Sequence, residues 1–414
     1  MPHLFERKPN ILFLNSCVSG GGAGRSLLAY LELVGERVNS HIVLPEAGIL
    51  TRHLKHKEKL HFIKEFIERP LTPPYKRIVN IPVLNALGGV YALIQSAKKI
   101  IQVIRSEGSD AIYCNHMLAN PVGVVVGYLT KTPVIFHIRN IHNNLWIERW
   151  FYRWMSTAKC VTKLICNSEA SAEPFKDLVP EKITVIHNFC DLTKFDISQV
   201  KPVLRKELAL DKKAKIIGYV GRITGWKGID LLIRSFAQVI KKQPQAELVL
   251  VGENDGGIKV DLKEQYRQLA AELGVGPKTH FIGFKDDIRP YVGDFDVLAL
   301  PSRSPEPFGR VLVEAMALEV PAVISAHGGA IEVVDDKVDG LWSTPKDHKD
   351  MAKKLIKILK DDKLRDRMSL AASQKVRSKF DNQRLAKRIT EEIFSALSPE
   401  SGVQYKPQSV PSYS

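Results

Sequence analysis

The chain has 414 residues, 44% of them hydrophobic and 25% charged, which is enough apolar mass for the cores of two ordinary domains. Its five cysteines (Cys17, Cys114, Cys160, Cys166, Cys190) form no C-x-x-C pair, and several sit in apolar runs. They read as buried free thiols of a reducing compartment, forming neither a disulfide framework nor a cysteine zinc site. A formal net charge of +15 favours an anionic surface or ligand, but the chain has no base-reading basic helix and no RNA-binding aromatic motif, so nucleic acid is set aside.

Taken in chain order, Met1–Lys8 lacks an apolar core, which argues against a secretory signal. A first strand is expected at Asn10–Asn15, and Gly20–Gly24 follows as a glycine loop before a helix. That loop matches neither Gly-x-Gly-x-x-Gly nor a P-loop, but its backbone N–H groups allow close approach of a phosphate or an acceptor. Strands are expected next at Ser40–Leu44 and His61–Lys64. Overlapping them, residues 52–77 carry Arg52, Lys55, Lys57, Lys59, Lys64, Arg69, Lys76 and Arg77 among Phe62, Phe66 and Ile67. Such a stretch suits an anionic leaflet, at about 1 kcal/mol per basic group.

The apolar stretch Ile81–Ile104 is interrupted by Pro82, Asn85, Gly88 and Gly89. It predicts an amphipathic helix packed on the sheet rather than a membrane span. Strands Ala111–Cys114 and Val134–Ile138 follow, with His137 at the carboxyl end of the second beside Arg139, Asn140 and His142. That position reads as a cleft residue, against the alternative of a satisfied core histidine. Trp146, Trp150 and Trp154 recur every four residues and share a helix face. Core packing is the first reading for them, and an interfacial aromatic belt or lipid groove the second. With strands at Leu164–Asn167 and Ile183–Ile186, the alternation predicts a doubly wound parallel sheet.

A polar segment at 190–212 separates this half, residues 1–195, from a second one, 196–380. The second half opens with strand Lys215–Val220, the turn Gly221-Arg222 and a helix from about Gly228 that begins beside Lys227. Two cations near a helix start oppose its dipole, so a diphosphate between them is expected in preference to a structural ion pair. Strands are expected at Glu247–Val251, His280–Ile282, Val297–Leu300 and Ala322–Ser325. Asp294-Phe295-Asp296 has the form of a metal motif but stands between a helix and a buried strand, so it reads as a cap and turn. After the strand at 297–300, Ser304–Glu314 opens a helix at the sheet's carboxyl edge, where ligands bind. Glu306 is expected in the loop at the mouth of the site, and Glu314 on one face of the helix. Three helical stretches then run from Asp347 to Leu397, and residues 398–414 read as a disordered tail.

The combination Gly221-Arg222…Lys227-Gly228 and Glu306-x-Phe308-Gly309…Glu314 resembles the retaining glycosyltransferases of family 4. Further matching pieces are Gly20–Gly24, His137, Asn188…Asp191, Leu248–Asn254 and His327–Glu332, so the resemblance spans about residues 9–397. It implies the GT-B fold: an α/β protein of two Rossmann-like doubly wound domains facing across a cleft, with residues 381–397 crossing back to the first. It implies transfer of a sugar from a nucleoside-diphosphate sugar (UDP or GDP) to a hydroxyl, with retention and with neither cofactor nor metal. By the same resemblance His137, Arg222, Lys227 and Glu306 are the catalytic group. Gly22, Gly221, Glu253, Phe308, Gly309, Arg310 and Glu314 bind the donor, Glu314 at the ribose and Glu306 at the sugar. Gly21 and Arg139 face the acceptor. The basic, aromatic first half favours a lipid-linked glycan acceptor, as in surface polysaccharide assembly, and a cytoplasmic protein at the inner face of the membrane. Rival readings are a sugar-nucleotide epimerase of the same fold and a non-catalytic carbohydrate- or membrane-binding protein. One departure from the family is Phe189 where many relatives have glycine.

Overall fold

Runs such as Ile11–Leu14 and Val134–Phe136 are apolar at successive positions, so as strands they bury both faces and call for layers of helix on each side. The computed structural model describes residues 7–16, 21–35, 37–54, 58–66, 82–141, 146–254 and 261–398, in two units. The first comprises residues 1–187 with 382–414, the second residues 188–381.

In the first unit seven parallel strands run in the order β3-β2-β1-β4-β5-β6-β7. They are β1 (Asn10–Leu14), β2 (Asn39–Leu44), β3 (Lys59–Phe62), β4 (Ala111–Cys114), β5 (Val134–Ile138), β6 (Val161–Cys166) and β7 (Ile183–Val185). Leu12 and Leu14 face a core shared with Ile100 and Ile104 of the Pro82–Glu107 helix. On the other face Phe13 meets Tyr30 and Tyr113. There the Tyr30 hydroxyl lies 3.2 Å from that of Thr390, on the Asn382–Ala396 helix.

The second unit has six parallel strands in the order β10-β9-β8-β11-β12-β13. These are β8 (Lys215–Val220), β9 (Ala246–Val251), β10 (Thr279–Gly283), β11 (Val297–Leu300), β12 (Ala322–Ser325) and β13 (Gly340–Ser343). Ile216 and Leu298 enter one apolar cluster, Ile217 and Val297 the other, so both faces are covered. In each sheet the strand order reverses once, between β1 and β4 and between β8 and β11, and ligands of open α/β sheets bind outside the carboxyl ends at such a point.

Several expectations need correction. β3 begins two positions earlier than expected, and β13 was missed because four residues containing Gly340 make too short an apolar run. The division falls at Asn188 rather than 195/196, because the Cys190 N–H donates to the Phe380 carbonyl and the segment pairs with Asp381 at the far end of the same unit. The three tryptophans do not pack in the core: Trp146, Trp150 and Trp154 are 78, 61 and 58% exposed, while Tyr152 and Met155 of the same helix are buried. Among the described residues no helix is long and apolar enough to cross a membrane. Cys114, Cys160, Cys166 and Cys190 are free and buried. Cys17, Gly20, His142, much of the basic stretch (55–57 and 67–81) and the tail from 399 lie outside the described residues.

Candidate active site

In the first unit the strands β1 and β4 are each followed directly by an asparagine, Asn15 and Asn115. The Asn115 amide donates to the Asn15 side chain at 2.9 Å and to the Ala23 carbonyl at 3.2 Å, tying the strand ends to the helix that opens at Gly22. Gly21 caps that helix through its carbonyl, which accepts from the Arg25 N–H. Arg139, buried after β5, donates from Nε to Asn115 at 3.2 Å and from a terminal nitrogen to His137 Nδ1 at 3.1 Å. The Tyr113 hydroxyl also reaches His137 Nδ1. A guanidinium only donates, so Nδ1 is the acceptor and Nε2 carries the proton. That Nε2–H is buried without a hydrogen-bond partner. Burial, and then Arg139, hold the His137 pKa well below 6.5, so the ring is a neutral donor. His137 is thus both a buried strand residue and one with an unfilled donor.

In the second unit, Gly221 and Arg222 follow β8, and the Tyr219 hydroxyl donates to the Arg222 carbonyl at 2.9 Å. Arg222 is exposed. The turn Gly225–Lys227 leads to Gly228, which has φ of 69° and caps the Ile229–Val239 helix. A Cβ on Gly228 would strike the Pro301 carbonyl, so the residue after β11 and the residue before the helix are in backbone contact.

Lys227 is not left facing an anion alone. Its ammonium lies 2.7 Å from Glu306 Oε1 and 4.2 Å from the centre of the Trp226 ring. The structural ion pair, the second reading for this cation, is thus present. Glu306 is also not at an open mouth: it is 3% exposed, accepts from the Ser302 hydroxyl, and its carbonyl accepts from the Gly329 N–H at 2.7 Å. His327 Nε2 donates to the Ser302 carbonyl at 2.9 Å, and burial lowers its pKa. The loop 301–306 is thereby braced from both β8 and β12.

The Arg310–Ala317 helix starts at Gly309 with no side-chain cap. One terminal nitrogen of Arg310 bonds the buried Glu314 at 2.7 Å, one turn on. Its other two nitrogens, Nε and Nη1, are buried and have no hydrogen-bond partner. A guanidinium costs free energy to bury unsatisfied, so two inward donors at a helix N-terminus mark a place for oxygen acceptors.

The Phe308 side chain is packed in the core against Phe380, which leaves its backbone, at the helix start, to face a ligand. Glu253, two residues past β9, forms a surface pair with Lys263 at 2.8 Å, which holds its carboxyl below the usual range. The aspartates of the Asp-x-Asp sequence hold backbone: Asp294 accepts from the Leu204 N–H and Asp296 from the Ile216 N–H. Sequence reasoning missed Asn15, Asn115, Tyr113 and Ser302. The available signal was the polar residue directly after the apolar runs Ile11–Leu14 and Ala111–Cys114.

Two Rossmann-like units with polar groups gathered at both strand-order reversals are the architecture of the GT-B glycosyltransferases. Residues 20–194 match the family Glycosyltransferase Family 4 and residues 200–375 match Glycosyl transferases group 1. The chain belongs to the group 1 glycosyltransferases and is an enzyme of that class. It is 26% identical over 353 residues to an uncharacterized glycosyltransferase, MJ1607, of Methanocaldococcus jannaschii, spanning 81% of this chain and 85% of that one. It is 26% identical over 324 residues to the capsular polysaccharide biosynthesis glycosyltransferase CapM of Staphylococcus aureus, spanning 75 and 83%. Among solved structures, Anabaena Alr3699/HepE in complex with UDP-glucose is 25% identical with a TM-score of 0.78, covering 93% of this chain and 99% of that one.

Proposed function

We propose that this enzyme moves a sugar from a nucleoside-diphosphate sugar, with UDP the first choice of nucleotide, to a hydroxyl of a lipid-linked glycan, with retention and without a metal. The observation that carries this reading is Arg310, with two unfilled buried donors beside Glu314 at an uncapped helix start. Donors suit phosphate oxygens and a carboxylate suits ribose hydroxyls. The complex of HepE with UDP-glucose supports the choice of nucleotide.

As the anomeric carbon–oxygen bond breaks, negative charge grows on the departing phosphate. Arg222, Lys227 and the N–H groups around Gly309 are the groups to hold it. The acceptor oxygen then bonds the anomeric carbon on the same face, and its proton passes to the phosphate oxygen that leaves. No carboxylate nucleophile is needed, and Glu306, tied to Lys227 and Ser302, is a poor one. In this reading it binds sugar hydroxyls and positions Lys227, while the His137 Nε2–H donates to a further hydroxyl. Gly21 and Arg139 of the first unit fall to the acceptor, and Gly22 of the first unit with Gly221 and Glu253 of the second to the donor.

The Trp146–Ser156 helix favours a membrane-borne acceptor. Its three exposed tryptophans, the rings of Trp150 and Trp154 stacked 6.3 Å apart, lie beside exposed Arg149 on a chain of net charge +15. Indole rings favour the headgroup level, and the charge favours an anionic leaflet. CapM, by its name a capsular enzyme, supports the polysaccharide setting.

Two assays test the reading. UDP should raise the melting temperature of the wild type but not of the Lys227→Ala, Glu314→Ala double variant; no shift with UDP, GDP, ADP or CDP at millimolar concentration would refute it. The protein should sediment with phosphatidylglycerol vesicles, and Trp150→Ala, Trp154→Ala should bind them at least tenfold more weakly. Equal sedimentation would remove the membrane from the proposal and leave a soluble acceptor.

A further inference from the structure

Away from the strand ends just described, the first unit brings two histidines and a glutamate together at the other end of its sheet. His41 stands on β2 and His61 on the edge strand β3; in register, Val43 faces His61 and His41 faces Lys59. The histidines are therefore two steps apart on one face of the sheet, with ring centres at 5.8 Å and planes at 20°. Glu107 is the last residue of the 82–107 helix. It is held in place by Asn10, whose amide donates to the Glu107 carbonyl at 2.7 Å from the start of β1.

The orientation of the nitrogens is what separates this cluster from ordinary packing. His41 is 4% exposed, and its Nδ1 has no hydrogen-bond partner; His61 Nε2 is buried and equally unpartnered. His41 Nδ1 lies 3.6 Å from a Glu107 oxygen, too far for a hydrogen bond. One atom from each of the three side chains lies within 4.8 Å of the other two. Nitrogens and a carboxylate oxygen at such separations can close on a single ion with bonds of about 2.0–2.2 Å after small side-chain rotations.

We propose that His41 Nδ1, His61 Nε2 and the Glu107 carboxylate bind one divalent transition-metal ion of the zinc class. Two imidazoles with one carboxylate suit zinc, nickel, cobalt or copper, whereas magnesium and calcium take all-oxygen sets. Burial lowers the pKa of both rings, which leaves their lone pairs available at neutral pH. The group in competition is Lys59, whose ammonium sits 2.7 Å from Glu107, but its side chain is 67% exposed and can turn outward. The ion would clip the edge strand and the helix end to β2. It lies at the end of the sheet away from Asn15, Asn115 and Arg139, so its role is structural and separate from sugar transfer.

The test uses the full chain, stripped with a chelator and desalted, then titrated calorimetrically with zinc, nickel, magnesium or calcium salts alone. Zinc and nickel should bind one ion per chain, and a hundredfold excess over Kd should raise the melting temperature by roughly 5–10 °C. Magnesium and calcium should do neither. His61→Gln and Glu107→Gln should abolish binding, Lys59→Ala should strengthen it, and bound cobalt should show the visible bands of a four-coordinate site. His61 is half-buried on an edge strand, so if His41 or Glu107 variants fail to fold, His61→Gln alone decides. Zinc uptake by His61→Gln equal to that of wild type, or none by wild type, overturns the proposal.

Discussion

At the scale of single residues, Lys227 and Glu306 are the pair whose loss is easiest to interpret. Removing the cation leaves a buried carboxylate unpaired, so Lys227→Ala should cost about 3–5 kcal/mol of stability as well as about 10²–10³ in kcat. The double variant Lys227→Met, Glu306→Gln removes both charges; it should recover most of the stability and none of the activity. Chemical denaturation beside donor-saturated turnover checks this, and a double variant less stable than the single one would refute it. Glu314→Gln should raise KM for the nucleotide donor more than it lowers kcat, as expected for a group that binds the part of the substrate that does not react. His137 carries the pH dependence. Its pKa is depressed in the folded protein, whereas the unfolded ring protonates near 6.5. Below that pH the unfolded state binds more protons, so stability falls as pH falls. From pH 6.5 to 5.5 the wild type should lose about 1 kcal/mol more than His137→Gln, measured by urea unfolding; equal losses would show that the ring titrates freely.

At the scale of elements, what the sequence disclosed follows burial. Strands covered on both faces read as unbroken apolar runs, which is why ten of the expected strands overlay real ones closely. β6 begins three positions before its expected start because Thr162 and Lys163 interrupt its apolar run, β3, an exposed edge strand, was displaced, and β13 was missed. The helix start at Gly309 was legible from its prolines and glycine, and Glu314 and Arg310 came with it. The Lys227–Glu306 ion pair was not legible, because the two residues are far apart in sequence and only the loop after β11 brings them together. Nor does a spacing of four say which helix face is wet: Tyr152 and Met155 turn inward and leave the tryptophans outside. Gly228 shows what such a loop demands. Its φ of 69° and the Pro301 carbonyl against it leave no room for a methyl group, so Gly228→Ala should destabilise the second unit by about 1–3 kcal/mol. A thermal scan that left the transition unchanged would contradict this close approach.

At the scale of the whole molecule, the first unit is discontinuous: the Asn382–Ala396 helix returns to it after the entire second unit has been traversed. Ile389 and Ile393 of that helix are buried, and Thr390 meets Tyr30. Ile393→Ala should therefore cost about 2–5 kcal/mol, read as an earlier unfolding transition of the first unit; an unchanged transition would mean that the helix contributes little to it. The discontinuity also sets an order of events during synthesis. All seven strands of the first sheet emerge from the ribosome before residue 188, yet the layer over one of its faces lacks the Asn382–Ala396 helix until the second unit has already been translated. For that interval the nascent first unit carries an unfinished apolar face, while the second, continuous in sequence and with its ends pinned together at Cys190 and Asp381, can close by itself. The later unit should mature first, and a chain stalled at residue 381 should recruit chaperones that the finished protein no longer needs.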